Sequence, residues 1–442
     1  MATTHERLRV EDVTTRGGPE PAAVMAQLAA ADRFGEYVMY ERPGEWVFAA
    51  DPIGAVELDA HELRVAWAGQ STVSGWSGRP AAVLDRALGM LPLGDRKAYG
   101  WIGFEFCAWA LAATAHVGER TPLAHLMIPR IEIVLNDSGV RITGATEAEA
   151  VEIRALVAAA AATPMPQPHP ADIRPDPTGY QDRVAAAVAE IRSGRYQKVI
   201  LSRKVELPFA VDVPATYRLG RANNTPARSF LLRLGGLEAA GFSPELVAAV
   251  DEDRMVTTEP LAGTRAFGFG ESIDLAARAD LLSDPKEIVE HAISVQTSFA
   301  EVAAVAEPGS TAVSDFMAVR ERGSVQHLAS TVRGRLAPGR SSWDALEVLF
   351  PSVTAAGIPK QAGVDSVFRL DGAPRGLYSG AVVTVSPTGA LEATLVLRAV
   401  YQNAEGAWLR AGAGVVGQSR PEREFEETCE KLGSVAPYLV QA

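Results

Sequence analysis

Tyr37 to Ala50 reads as two β-rich runs, YVMY and EWVFAA, joined at Pro43-Gly44, the chemistry of a hairpin turn. Ala55 to Ala68 alternates apolar and polar residues in the same way. A helix is predicted near Arg79 to Leu91, and the aromatic run AYGWIGFEF predicts a strand from Ala98 to Phe106. Thr163 to Pro177 contains Pro164, Pro166, Pro168, Pro170, Pro175 and Pro177, which hold neither a helix nor a central strand. That stretch reads as a linker, between domains or between two halves of one large fold.

Beyond it, Thr178 and Gln181 predict a capping box for a helix with Val184, Val188 and Ile191 on one face. Strands are predicted at KVILSRKVELPF from Lys198, SFLLRL from Ser229, GAVVTVS from Gly380, ATLVLRAVY from Ala393 and AWLRAGAGVV from Ala407. They do not alternate regularly with helices, which argues against a parallel doubly wound sheet.

Composition narrows the function classes. The chain has 442 residues, 47% hydrophobic and 22% charged, as in a packed globular protein. The length suggests two or three domains, or one large unit. With 42 basic against 54 acidic residues the net charge is -12, which excludes general affinity for nucleic acid. A small anionic substrate would need a local reversal of that sign. Cys107 and Cys429 stand far apart without CxxC partners, fitting a reduced cytoplasmic protein with buried thiols. No secretory leader and no membrane span is expected; the most apolar run, Val157 to Ala162, is far short of the about 20 residues a span needs.

Four features carry candidate chemistry. GAGVVG at Gly412 to Gly417 matches a dinucleotide fingerprint. However, Gln418-Ser419-Arg420-Pro421 intervenes before the next helix, and too little chain remains for a βαβ unit. Its glycines can still bring amides close to an anion. In SDPKEIVEH, Asp284 is expected to cap a helix with Pro285 first and Glu287 completing the box, while Glu287 and Glu290 share a face. SRPEREFEETCEK repeats the design, with Ser419 as cap, Glu422 closing the box, and Glu424 and Glu427 on one face. Two such helices suit a hard cation held through carboxylate oxygens. The macrodipole equally explains Glu287 and Glu422, though Glu427 lies deeper. Lys198, Glu245 and His327 complete the set; spacing alone cannot bring them together.

Taken in order, YQKVILSRKVE, GFSPELV, TEPLAGTRA, KEIVEHAISV, SVQHLAST, FPSVTAAGIPK, RGLYSGAVV, TLVLRAVY, RAGAGVV and PEREFEETCEKL resemble the chorismate-utilising enzymes from Thr178 to the end. That family includes anthranilate, aminodeoxychorismate, isochorismate and salicylate synthases. The N-terminal half, with ELRV and GWIGFEF, is similar to the salicylate-forming branch of mycobactin-type siderophore pathways. Phe242 and the Asp284-Pro285 cap depart from that branch's pattern, which has Tyr and Asn-Ser there.

The resemblance implies an α+β fold: a single large domain of two stacked antiparallel sheets with helices outside. Residues 1–163 would form a β-rich half, 164–177 the connection and 178–442 the chorismate-binding half. It implies Lys198 as the base activating water at C2, Glu245 as the acid for the C4 hydroxyl, and His327 and Thr354 beside the reacting centre. Gly263 and Thr264 line the ring. Tyr378 and Arg398, helped by the Gly412 amide and Lys431, hold the enolpyruvyl carboxylate. Glu290 and Glu427 match ligands of a Mg²⁺ cofactor, with Glu287 and Glu424 supporting its waters. A lysine at 198 indicates water rather than ammonia as nucleophile. Thr354, where isochorismate-only synthases tend to have a smaller residue, favours a second step that releases pyruvate. A monomer acting on chorismate without a glutaminase subunit is expected. The alternatives are an isochorismate synthase without lyase activity and a non-catalytic chorismate- or metal-binding paralogue.

Overall fold

The computed structural model describes residues 20–322 and 325–442. Period-two alternation decides its layering. Val38 and Tyr40 (strand Tyr37–Arg42), Phe230 and Leu232 (Arg228–Leu234), Tyr99 and Trp101 (Ala98–Ile102) and Val382 (Ala381–Val385) pack into one inner layer. Their neighbours face the other way: Tyr37, Met39 and Leu231 into a second core, Ala98, Ile102 and Val383 into a third. Two antiparallel sheets therefore stack on the inner layer and carry helices outside.

One sheet runs from Tyr37–Arg42 through Arg228–Leu234, Leu237–Ser243, Ala399–Asn403 and Gly406–Val415 to Lys198–Leu207. Its outer face packs on helices Pro21–Ala30, Glu147–Ala159 and Val213–Ala222. The other runs from Ala98–Ile102 through Ala381–Val385, Leu391–Leu395, Leu246–Val250 and Met255–Thr258 to Val325–Arg335. Leu261–Ala266 and Ala312–Arg322 flank that last strand. Helices Pro80–Gly89, Pro285–Val305 and Ser342–Leu349 cover it. The two long strands Glu45–Asp59 and Pro122–Asn136 belong to both, so hydrogen bonding is continuous between the sheets. The Pro43-Gly44 hairpin forms as expected, with Arg42 opposite Glu45.

Two strands change sheets at the same place. Leu237–Ser243 lies in the first sheet and Leu246–Val250 in the second, with Glu245 in the crossover. Beside it, the run expected as one strand from Ala393 breaks into Leu391–Leu395 and Ala399–Asn403, with Arg398 in the crossover at φ 50°. Phe242 N–H to Arg398 O (3.1 Å) and Ser243 Oγ to Leu395 O (2.6 Å) tie the crossovers together.

Several local expectations change. The strand from Ala98 ends at Ile102; Phe104–Ala108 is a 3₁₀ turn whose Glu105 accepts from the amides of Arg375 (2.7 Å) and Gly376 (3.1 Å). The Thr178–Gln181 box does not form. Left-handed Gly179 is the N-cap, and Asp176 accepts from the amides of Tyr180 (3.0 Å) and Gln181 (3.4 Å). Asp284 caps its helix through Lys286 N–H (2.9 Å) with Pro285 first, but Glu287 turns to Arg265 instead of closing the box. Ser419 is not a cap either: Arg420 precedes the Pro421–Leu432 helix, Glu422 closes no box, and Ser419 Oγ accepts from Val416 N–H (3.0 Å). The proline-rich stretch lacks regular structure yet is fastened to the body. Arg218 donates to the carbonyls of Thr163 (2.8 Å) and Pro164 (2.9 Å), and Arg203 to those of Ile173 (2.7 Å) and Pro175 (3.2 Å). Guanidinium groups thus satisfy carbonyls that a ladder would otherwise hold. Cys107 and Cys429 are buried and free. Among the described residues no helix is long and apolar enough to cross a membrane.

Candidate active site

The seam where the strands cross brings together Glu245, Arg398, His327 and Thr354. Glu245 is buried, 2% exposed, in its crossover. Burial pushes its carboxyl up to about 7, although the hydroxyls of Thr354 and Ser352 and the amide of Leu261 work the other way. Ser352 Oγ lies 2.8 Å from Glu245 Oε1, and Thr354 Oγ1 donates to the same oxygen. A carboxyl in that condition can hold a proton near neutral pH and still release it.

Opposite sits Arg398. It donates to Arg322 O (3.1 Å) and to His327 Nε2 (2.7 Å), and no carboxylate pairs with it among the described residues. Enclosure and the charge of Arg322 bring its guanidinium down to about 10. Because His327 Nε2 accepts from Arg398, the network assigns the imidazole proton to Nδ1, which faces Gly263 O (3.2 Å) and Thr264 Oγ1 (3.0 Å). Burial and Arg398 hold His327 well below the ordinary histidine range, so it is neutral. Gly263 occupies a bulge opposite the Val325–Arg335 strand at φ +79°, where a side chain would meet Glu287 and Leu281.

Lys198 opens its strand and points at the helix Pro285–Val305, with Nζ 2.5 Å from Glu290 Oε1. Burial raises the Glu290 carboxyl, but Lys198 outweighs it and holds the group below its usual value. Gly414 makes room for this pair: a Cβ there would lie 3.1 Å from Lys198 Cε and 3.8 Å from Glu290 Oε1. Gly412 is tighter, its Cβ position lying 2.5 Å from Leu201 O and 2.9 Å from the Tyr378 hydroxyl. Lys431 Nζ reaches Gly412 O (2.9 Å) and Glu427 (2.8 Å). Beneath Tyr378, Arg375 and Arg410 stack at 5.6 and 5.5 Å from its ring. Both bind buried Asp371 (2.8 and 3.2 Å).

The four glutamates divide between two helices, Glu287 and Glu290 on Pro285–Val305 and Glu424 and Glu427 on Pro421–Leu432. The helices are near enough for the charge of Lys431 to act on Glu290 and that of Lys286 on Glu424. Burial raises Glu287, with the charge of Glu290 adding. Burial raises Glu424, opposed by Ser419 and assisted by Glu427. As the side chains stand, among the described residues no three His, Cys, Asp or Glu groups converge closely enough to cage a metal ion. Lys198 and Lys431 each engage one carboxylate. The donor chemistry nevertheless suits a hard divalent cation, which would relieve carboxylates that are close together, Glu424 buried and Glu287, Glu290 and Glu427 half-buried. His291, next to Glu290, turns away to Ser330 Oγ (2.7 Å), and burial lowers it to about 4.

Gly412 to Gly417 follow no βαβ unit. Gly406–Val415 is antiparallel to Lys198–Leu207, so the dinucleotide reading falls. A family model described as chorismate binding enzyme matches residues 36–437. The chain belongs to the chorismate binding enzymes. Among relatives of this chorismate binding enzyme, a salicylate synthase of Mycolicibacterium paratuberculosis is 53% identical over 424 residues, 95% of this chain and 94% of that protein. An anthranilate synthase component 1 of Halobacterium salinarum is 34% identical over 68% of this chain and 58% of its own. The anthranilate synthase component I of Streptococcus pneumoniae shares the fold at TM-score 0.73, with 24% identity over 90% of this chain and 92% of its own. The menaquinone-specific isochorismate synthase of Escherichia coli does so at 0.72, with 19% identity over 95% and 91%.

The motif reading of the family missed three contributors: Ser352, two residues before Thr354 in FPSVT; Gly414, inside GAGVV; and Arg265, whose guanidinium binds Asp280 and Asp284 (2.6 Å each) and Glu287 (3.2 Å). Only Gly414 left a visible signal, a third glycine in a β-run.

Proposed function

We propose that this chain converts chorismate to isochorismate and then to salicylate and pyruvate. The observation that carries the reading is Arg398, a half-buried guanidinium with no carboxylate partner among the described residues. Leaving such a group without a counter-ion is costly, and a substrate carboxylate supplies one in bidentate form. The near full-length likeness to a salicylate synthase supports the choice of product.

In the first step Lys198 takes a proton from the water that attacks C2, while Glu245 gives its proton to the departing C4 hydroxyl, which leaves as water. Glu245 is suited to this because burial keeps its carboxyl near neutrality. Lys198 begins paired with Glu290, so it acts once that carboxylate is turned to another positive partner. Tyr378, Lys431 and Arg398 orient the enolpyruvyl carboxylate, and His327 holds Arg398 in place; Gly263 and Thr264 line the ring. In the second step the C2 hydrogen passes to the enolpyruvyl methylene as the bond between ring carbon C3 and the ether oxygen breaks, so that the side chain leaves as pyruvate and the ring becomes aromatic. That step asks for orientation and no further base.

Glu290 and Glu427 are the residues we take to hold Mg²⁺, with Glu287 and Glu424 on its waters; its charge would neutralise the ring carboxylate. We take residues 178–442 as the half that carries the chemistry, residues 1–163 as its scaffold and 164–177 as the connection. Every side chain assigned a role follows residue 178. We further propose a cytoplasmic monomer that needs no glutaminase, supplying salicylate to siderophore or related secondary metabolism. Two buried free cysteines accord with a reducing compartment. Incubation with chorismate and Mg²⁺, followed by chromatography, is the test. Salicylate with equimolar pyruvate is expected; isochorismate alone removes the lyase step, and no turnover removes the enzymatic reading.

A further inference from the structure

Three oxygens meet beside the acid. Ser352 Oγ is 2.8 Å from Glu245 Oε1 and 2.7 Å from Thr354 Oγ1, and Thr354 Oγ1 touches Glu245 Oε1 as well. Both hydroxyls address the same carboxyl oxygen. A carbonyl-type oxygen accepts two hydrogen bonds through its two lone pairs, and an acid O–H oxygen accepts less well. Each hydroxyl has a single proton; with both given to Oε1, the Ser352–Thr354 contact carries none, and the two donors on Oε1 direct the acidic proton to Oε2. Ser352 is 9% exposed, and its hydroxyl does no capping work. The local turn is held by its carbonyl instead, which accepts from Ala355 N–H at 2.9 Å.

We propose that Ser352 is a positioning residue for the acid: with Thr354 it fixes the transferable proton on Glu245 Oε2 and steadies the carboxylate left behind. This rests on the reading of Glu245 as the acid for the C4 hydroxyl. As the C4–O bond breaks, the Oε2 proton goes to the departing oxygen and water leaves. The remaining carboxylate keeps both hydroxyl donors on Oε1. The charged groups facing Glu245 are Glu259, which disfavours ionisation, and Arg398, whose charge is in turn held up by Glu245. Neither contacts Oε1 in the hydrogen-bond network; the neutral donors to the carboxyl are the two hydroxyls on Oε1 and, beside them, the amide of Leu261. Thr354 alone would leave one lone pair of Oε1 empty and the proton free to sit on either oxygen.

Removing one donor to a carboxylate favours its protonated form. Ser352→Ala should lower kcat about tenfold with KM within twofold, and move the alkaline limb of the kcat profile upward by about one pH unit. An unmoved limb, or a KM effect alone, overturns the proposal. Infrared titration of the protonated carboxyl band that Glu245→Gln removes reads the same quantity without turnover. Its midpoint should rise in Ser352→Ala, and rise less in Ser352→Thr, which keeps a hydroxyl. An equal rise in both, or none in either, overturns the proposal. If the parent chain makes no salicylate while the midpoints shift as expected, the assigned reaction fails and the hydroxyl control of Glu245 stands.

Discussion

Arg398 Nη2 lies 2.7 Å from His327 Nε2, so a guanidinium donates to an imidazole where a carboxylate would be its usual partner. The arrangement works only while His327 is neutral. A histidine whose folded-state value is lowered gives stability that is present above its unfolded value, about 6.5, and is lost as pH falls below it. Burial and Arg398 lower His327, and burial lowers His291 to about 4, so both act in this direction. Unfolding free energy from urea titrations is therefore expected to fall between pH 6.5 and 4, and to fall less steeply in His327→Gln.

Lys198→Ala and Glu245→Gln should each cut chorismate consumption by at least about a hundredfold, with circular dichroism unchanged. Glu245 acts protonated and its carboxyl sits at about 7. Activity should hence decline as pH rises through that value, giving an alkaline limb in kcat. A rate still rising well above pH 8 would remove Glu245 as the acid.

Chelation tests the cation. Treatment with EDTA should abolish turnover, and Mg²⁺ should restore it. Glu290→Gln and Glu427→Gln should both raise the Mg²⁺ concentration giving half-maximal rate by tenfold or more, because each removes a charged oxygen donor. Full activity in excess EDTA counts against the assignment.

The Gly412 Cβ position is 2.5 Å from Leu201 O, a backbone atom that cannot swing aside. Gly412→Ala is expected to cost about 1–3 kcal/mol of stability through overpacking and to displace the Tyr378 hydroxyl. Gly414→Ala meets side-chain ends rather than backbone: Lys198 Cε at 3.1 Å, Ile200 Cδ1 at 3.4 Å and Glu290 Oε1 at 3.8 Å. It should melt nearer to the parent yet lose activity. Thermal denaturation and steady-state rates on the two variants separate these effects.

Asp371 is enclosed by Arg375, Arg410 and the amide and hydroxyl of Ser202 (2.8 and 2.6 Å). Against the burial that raises it, these partners hold its carboxyl below the usual range. Asp371→Ala strands two buried guanidinium groups and should destabilise the fold by about 3–5 kcal/mol. Tyr378 should lose its support as well, seen as a higher KM in any variant that remains folded.

What the sequence made legible was periodic or local. Strand patterning located the Pro43-Gly44 hairpin and part of both sheets, but gave no sign of the long Pro122–Asn136 strand or of the strands between Leu237 and Arg335. Asp284-Pro285 announced a helix start. The ordered motifs supplied most of the side chains that meet at the seam. The crossover at Arg398 was hidden because TLVLRAV is uniformly strand-like, and the bend uses positive φ at a non-glycine residue that no turn signal marks. Two helix caps were misread because residues close by in the chain compete. Asp176 reached the amides first, and Ser419 was drawn to Val416. Ser352 could not be singled out because an ordinary serine acquires its role only when Glu245, 107 positions away, folds against it.

The paired crossovers bind catalytic competence to assembly. Glu245 and Arg398 belong to neither sheet; each lies where the chain leaves one sheet for the other, and hydrogen bonds across the seam hold them side by side. A molecule with a single well-formed sheet would possess every reactive side chain and no reaction centre. Turnover is thereby a reporter that the two sheets have docked.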